Sequence, residues 1–140
     1  MILHRYKILI QYDGSSYSGW QLQKNKRTVQ GEIENALKII SKSKHRIAVH
    51  GSGRTDSGVH AYGQVAHFDL STNLKPIDLC NAINANTYED CRIMSVEKVE
   101  NDFESRFDAI TRRYRYQVYL GNSLLYRNQA WLINKIEINI

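Results

Sequence analysis

Residues 5–15 read RYKILIQYDGS, and the alternation within them decides the fold class. Tyr6, Ile8, Ile10 and Tyr12 stand on one side of the run, with Lys7, Leu9 and Gln11 on the other. A period of two with one apolar side is the signature of a strand half-buried against a core, and the YDGS turn chemistry ends it. Immediately downstream the period changes. From Thr28, whose side chain suits an N-cap, Val29, Ile33, Ala36, Leu37 and Ile40 follow helical spacing to about Ser43.

The same logic carries along the chain. RIAV at 46–49 predicts a short strand entering a glycine-rich loop, and GQVAHFDL at 63–70 predicts a second strand leaving it. Pro76 fits the first turn of a helix that carries Leu79, Ala82 and Ile83 to about residue 86, and a strand is expected over 92–99. The order β-α-β-β-α-β implies an α+β fold of ferredoxin-like, RRM-like type: an antiparallel sheet with helices on one face. RRYRYQVYL at 112–120 and QAWLI at 129–133 predict one or two additional strands, and the closing KIEINI is apolar. At 140 residues the chain has the size of one domain, and 1–140 is read as such.

Composition narrows the class. The sequence is 42% hydrophobic and 24% charged, as in ordinary globular proteins rather than disordered or coiled-coil chains. No apolar run approaches the roughly 20 residues that span a bilayer, and MILHRYKILIQY lacks a small-residue cleavage site, so a cytoplasmic chain without membrane contact is expected. Cys80 and Cys91 have no metal-ligand spacing and read as buried thiols. Lysine and arginine number 19 against 14 acids, a net charge of +5. They gather at Lys24, Lys26 and Arg27, at Lys38, Lys42, Lys44 and Arg46, and at Arg106, Arg112, Arg113 and Arg115. One such cluster is as readily a solvated face as a binding site, but three beside a glycine-rich loop favour nucleic acid.

That loop, GSGRTDSGVH at 51–60, fits neither common phosphate cradle. In a G-x-G-x-x-G reading the third glycine is replaced by Asp56, and in a P-loop reading Val59 and His60 stand where lysine and a hydroxyl are required. Asp56 then has two readings. It caps a local turn with Arg54 as its ion-pair partner, or it is a carboxylate held ionised by that guanidinium and free to act as a nucleophile. His50, His60 and His67 flank it at uneven spacings, so they read as structural or substrate-contacting residues and no metal is expected. Tyr114 and Tyr116 alternate with Arg113 and Arg115, which makes them core residues of a strand or a platform on which unstacked bases rest. AYGQVAHF shares only a few residues with the RNA-recognition signature.

Taken in order, YDGSSYSGWQLQ at 12–23, VQGEIENAL at 29–37, GRTDSGVHA at 53–61, NAN at 84–86, FESRFDA at 103–109 and RRYRYQVY at 112–119 resemble the tRNA pseudouridine synthases of the TruA type. The resemblance covers nearly the whole chain. It implies an isomerase that converts uridine to pseudouridine in the tRNA anticodon stem-loop, typically at positions 38 to 40, with no cofactor or metal. It makes Asp56 the nucleophile, Arg54 the residue that helps displace the base, and Tyr114 the ring that packs on the flipped uracil. It assigns Phe103, Arg106 and Phe107 to tRNA contact, beside the basic Arg113 and Arg115. It also implies a homodimer. Ser57 and Ser105 stand where the family commonly has alanine, and both changes read as tolerant of solvent. The family is built from two similar halves, and this chain corresponds to little more than the N-terminal one. An RNA-binding module without turnover and a structural interaction domain are the rival classes; salt-dependent tRNA binding and product formation separate them.

Overall fold

The computed structural model describes residues 2–133, which lie in two compact units, Met1–Ala109 and Ile110–Ile140. Each is taken by itself. The KIEINI segment falls outside the described residues.

In the first unit β1 (His4–Tyr12) leads through a single 3-10 turn (Gly14–Ser16) to α1 (Val29–Ser41). Then come β2 (His50–Gly51), β3 (Ala61–Leu70), α2 (Pro76–Ala85) and β4 (Cys91–Val99). The four strands make one antiparallel sheet in the order β2-β3-β1-β4. Thr28 is the N-cap of α1, its hydroxyl accepting from the Gly31 N–H at 3.2 Å, and Pro76 opens α2. Tyr6, Ile8, Ile10 and Tyr12 are all buried, as their alternation predicts. They share one core with Ala66, Phe68 and Leu70 of β3, with Val29, Ile33, Ala36 and Leu37 of α1, and with Leu79 and Ile83 of α2. Cys80 and Cys91 are buried free thiols in that core.

Two bulges adjust the register. Leu9 pairs with Ser95 but Ile10 pairs with Ile93, which leaves Met94 as an extra, exposed residue on β4. The bulge lets Ile93 and Val96, three residues apart, both pack on the core. On β3, Gln64 pairs with Ile10 and Ala61 with Tyr12, so Tyr62 and Gly63 together oppose Gln11.

The expected strand over 46–49 does not form. Only His50 and Gly51 pair with β3, at His67 and Ala66. Val49 is buried, but its carbonyl accepts from the Gln30 amide at 2.9 Å instead of from a ladder partner, and Arg46 turns to Glu34 at 2.6 Å. Gln30 of α1 has taken one backbone carbonyl a strand would have used, and Glu34 holds the Arg46 side chain.

In the second unit β5 (Val118–Leu120) and β6 (Trp131–Ile133) run parallel, with Val118 opposite Trp131. The strand expected over 112–120 is thus reduced to its last three residues. Tyr114 and Tyr116 lie before it, 61% and 94% exposed, so they are not core residues of that unit. No helix among the described residues is long and apolar enough to cross a membrane.

Candidate active site

The glycine loop does not hang free between β2 and β3. It is laid against the segment 12–20, and the backbones of the two stretches are fastened together. Trp20 N donates to Thr55 O at 3.0 Å, and Gly58 N and Ser57 Oγ both donate to Tyr17 O, at 3.3 and 3.2 Å. Tyr12 and Thr55 join hydroxyls at 2.8 Å, and the Gly14 N–H donates to His60 Nδ1 at 3.0 Å. Three glycines permit this close approach. A β-carbon on Gly14 would overlap the carbonyl of Val59, one on Gly19 would reach to 2.6 Å from Thr55 O, and one on Gly51 would strike the Trp20 ring.

Asp56 opens a turn of its own, closed by Val59 N donating to Asp56 O at 3.1 Å. Gly58 holds the third place with φ +82°, the left-handed value a type II turn requires there. The turn leaves Asp56 exposed at the edge of an open hollow of about 280 Å³, lined by Ser18, Gln21, Gln23, Lys26, Arg54, Thr55, Asp56 and Ser57. Arg54 and Asp56 therefore face one space. No ion pair joins them among the described residues, so a local salt bridge is not what holds the carboxylate. The backbone turn fixes where the residue stands.

Tyr17, bonded to this turn through its carbonyl, belongs to a polar cluster that sequence reasoning missed. The Tyr17 hydroxyl donates to Glu32 at 2.6 Å and contacts Asp90 at 2.9 Å. The Arg27 guanidinium grips both Asp90 oxygens at 2.8 and 2.9 Å, reaches Glu32 at 3.3 Å, and lies 4.1 Å over the Tyr17 ring. Its hydrogen bond holds the Asp90 carboxyl below its usual range, and burial with the Glu32 bond pushes the Tyr17 phenol upward. Tyr17 is thereby fixed at both ends: its ring by this cluster, its carbonyl by the Asp56 turn. Arg27 and Asp90 are 63 residues apart, and no local pattern announces such a pairing.

The segment after β4 crosses the other face of the sheet. Arg5 donates to Phe103 O at 2.7 Å and pairs with Asp69 at 2.8 Å. Ser105, expected to be solvent-tolerant, is only 2% exposed. Its hydroxyl bonds to His50 O and to His67 Nδ1, each at 2.8 Å, and its N–H donates to the same nitrogen at 3.2 Å. An alanine would fill the space but would leave the buried His67 with one contact fewer. Ser57, by contrast, is exposed as expected. His67 is buried, stacked on His50 at 5.0 Å and edge-on to Phe103 at 6.0 Å, and burial lowers its pKa. His50, His60 and His67 all serve the scaffold through these contacts.

Of the residues the sequence singled out, Arg54 and Asp56 share the hollow. Phe103 is half-buried on the sheet, while Arg106 and Phe107 stand exposed beyond it with the guanidinium 5.7 Å over the ring. Arg113, Tyr114 and Arg115 belong to the second unit and are exposed there.

The first unit is an α+β domain with a solvent-open, mixed-charge site at the loop end of its sheet. The chain belongs to the tRNA pseudouridine synthase family, whose model matches residues 8–108. It is similar to proteins named tRNA pseudouridine synthase A: 43% identical over 96% of this chain and 50% of the relative from Maridesulfovibrio salexigens, and 44% over 94% and 54% for Sinorhizobium medicae. For Limosilactobacillus fermentum the identity is 48% over 85% of this chain and 46% of the relative. The chain spans about half the length of the curated relatives it matches.

Proposed function

We propose that this chain carries the nucleophile of an enzyme that isomerises uridine to pseudouridine in tRNA, and that Asp56 is that nucleophile. The carrying observation is the position of Asp56: exposed in a hollow shared with Arg54 and presented by a turn whose backbone is bonded to a second segment. In this reading the carboxylate adds to the ribose anomeric carbon or to the uracil ring, and the C1′–N1 bond breaks. The base turns, a C1′–C5 bond forms as C5 gives up its proton and N1 gains one, and the bond to the carboxylate breaks to release Asp56. Substrate and product are isomers, so no oxidant or cofactor is consumed.

The base must leave its stack for Asp56 to reach it. Arg54 fills the space the base vacates, and the exposed Tyr114 packs on the flipped uracil. Arg106, Phe103, Phe107, Arg113 and Arg115 contact the RNA around it. The anticodon stem-loop as target and a cytoplasmic homodimer as the working form belong to the same reading. So does the ferredoxin-like assignment of the first unit, supported by its element order and its strand order β2-β3-β1-β4.

The test is pseudouridine formation in an unmodified tRNA, detected by chemical labelling and reverse-transcription stops, with the wild-type chain and Asp56→Asn. Product from the wild type and none from Asp56→Asn is expected. Equal product from both removes Asp56 as nucleophile. No product from either, with tRNA still bound, identifies a binding domain without turnover.

A further inference from the structure

Four cations of the first unit are held in ion pairs, and of the others two line the hollow. Arg5 pairs with Asp69, Lys7 with Glu97, Arg27 with Asp90 and Glu32, and Arg46 with Glu34. Lys26 and Arg54 enter no ion pair among the described residues, and both line the hollow that holds Asp56. Two cations and one carboxylate leave that hollow net positive. An RNA strand brought to Asp56 carries its phosphates with it, and an exposed carboxylate repels them unless a cation intervenes. In the reading above Arg54 is occupied with the base. Lys26 remains.

The backbone presents Lys26 in a fixed way. The loop that carries it is closed at its base by Ser18 N donating to Arg27 O at 2.7 Å. Leu22 N is held by the Gln30 side chain at 2.7 Å, and the Gln23 amide donates to Ser18 O at 2.8 Å. The last turn runs from Gln23 to Lys26, with Lys26 N donating to Gln23 O at 3.4 Å and Asn25 in the left-handed region at φ 59°. Asparagine tolerates that conformation better than other residues with a β-carbon. Lys24, two residues earlier with the same charge, does not line the hollow.

We propose that Lys26 seats an RNA backbone phosphate beside the nucleotide that Asp56 attacks, with Gln21 and Gln23 forming the polar wall of the seat. This rests on the function proposed above. A lysine ammonium suits the role because it meets phosphate as a compact charge with three donors and demands no fixed bidentate geometry.

The experiment measures the affinity of the full chain for an unmodified tRNA transcript over a range of KCl, for wild type, Lys26→Gln and Lys24→Gln. Lys24 and Lys26 are both exposed, so the thermal unfolding midpoints of all three proteins are expected to coincide. One neutralised phosphate contributes about 0.9 to the slope of log affinity against log salt. Lys26→Gln is expected to lower that slope by about one. Lys24→Gln, which removes the same charge from the same loop, is expected to lower it by less. Equal effects of the two variants, or an unchanged slope for Lys26→Gln, overturn the seat while leaving tRNA binding in place. A wild-type chain that does not bind tRNA overturns the function on which the seat depends, and the seat with it.

Discussion

The backbone of Gly14 and the carbonyl of Val59 lie so close that a β-carbon on Gly14 has nowhere to go. Because the obstacle is backbone and not the end of a flexible side chain, Gly14→Ala is expected to push the two segments apart. Overpacking of this kind costs about 1–3 kcal/mol, and here it also moves the turn that carries Asp56. Gly58→Ala has open space around it and meets only the conformational cost of a left-handed residue, about 1–2 kcal/mol. Urea unfolding midpoints together with product formation check the contrast: loss of both for Gly14→Ala, a milder loss of stability for Gly58→Ala.

Arg27→Ala leaves the Asp90 and Glu32 carboxylates facing each other across Tyr17 without their cation. Breaking a fully buried pair costs about 3–5 kcal/mol. Arg27 is a third exposed, which reduces the expected loss to about 2 kcal/mol, read from chemical denaturation.

The same pair sets a pH dependence. Asp90 is held below its ordinary value of 3.8, chiefly by the Arg27 hydrogen bond. A carboxyl with a depressed folded-state pKa contributes stability that is present above the unfolded value and is lost as pH falls through the folded one. Wild-type stability is therefore expected to decline below about pH 4, and less steeply in Asp90→Asn. Unfolding free energies between pH 2 and 5 decide this.

His67 acts at a higher pH. Burial lowers its folded-state pKa from 6.5, so the unfolded chain binds the extra proton first. Stability is full above about pH 6.5 and falls as pH drops through the interval between the unfolded and folded values. A second, separate step of pH-dependent destabilisation is expected there, absent from a His67→Gln variant and checked by the same titration.

Tyr114 is exposed, so Tyr114→Ala is expected to change stability by no more than about 0.5 kcal/mol. If it stacks on an unpaired base, tRNA affinity falls by the equivalent of about 1–3 kcal/mol. Filter binding beside a thermal melt separates the two effects.

What could be seen in the sequence was whatever depends on neighbours a few residues away. The alternation of Tyr6, Ile8, Ile10 and Tyr12, the Thr28 cap and Pro76 all act locally, and the strands and helices they imply are present with ends shifted by a residue or two. The strand over 46–49 is absent where Gln30 of α1 takes the Val49 carbonyl and Glu34 takes the Arg46 side chain. Tyr114 and Tyr116 alternate as strand residues do, but alternation records a pattern and not the presence of a partner strand. In the site, the loop and Asp56 were legible through glycine and charge. The packing of 12–20 on that loop, the Arg27–Asp90 grip and the burial of Ser105 join residues tens of positions apart, where no periodicity reaches.

The two cysteines give the fold a chemical clock. Burial pushes the Cys91 thiol up to about 12 and raises Cys80 as well, so almost no thiolate exists at neutral pH while the core is closed. A thiol-reactive dye can therefore modify either one only during moments of opening. Cys80 sits on α2 and Cys91 at the start of β4, so their two labelling rates, compared with the rate of complete unfolding, report whether the helix lifts off alone or the sheet comes apart with it.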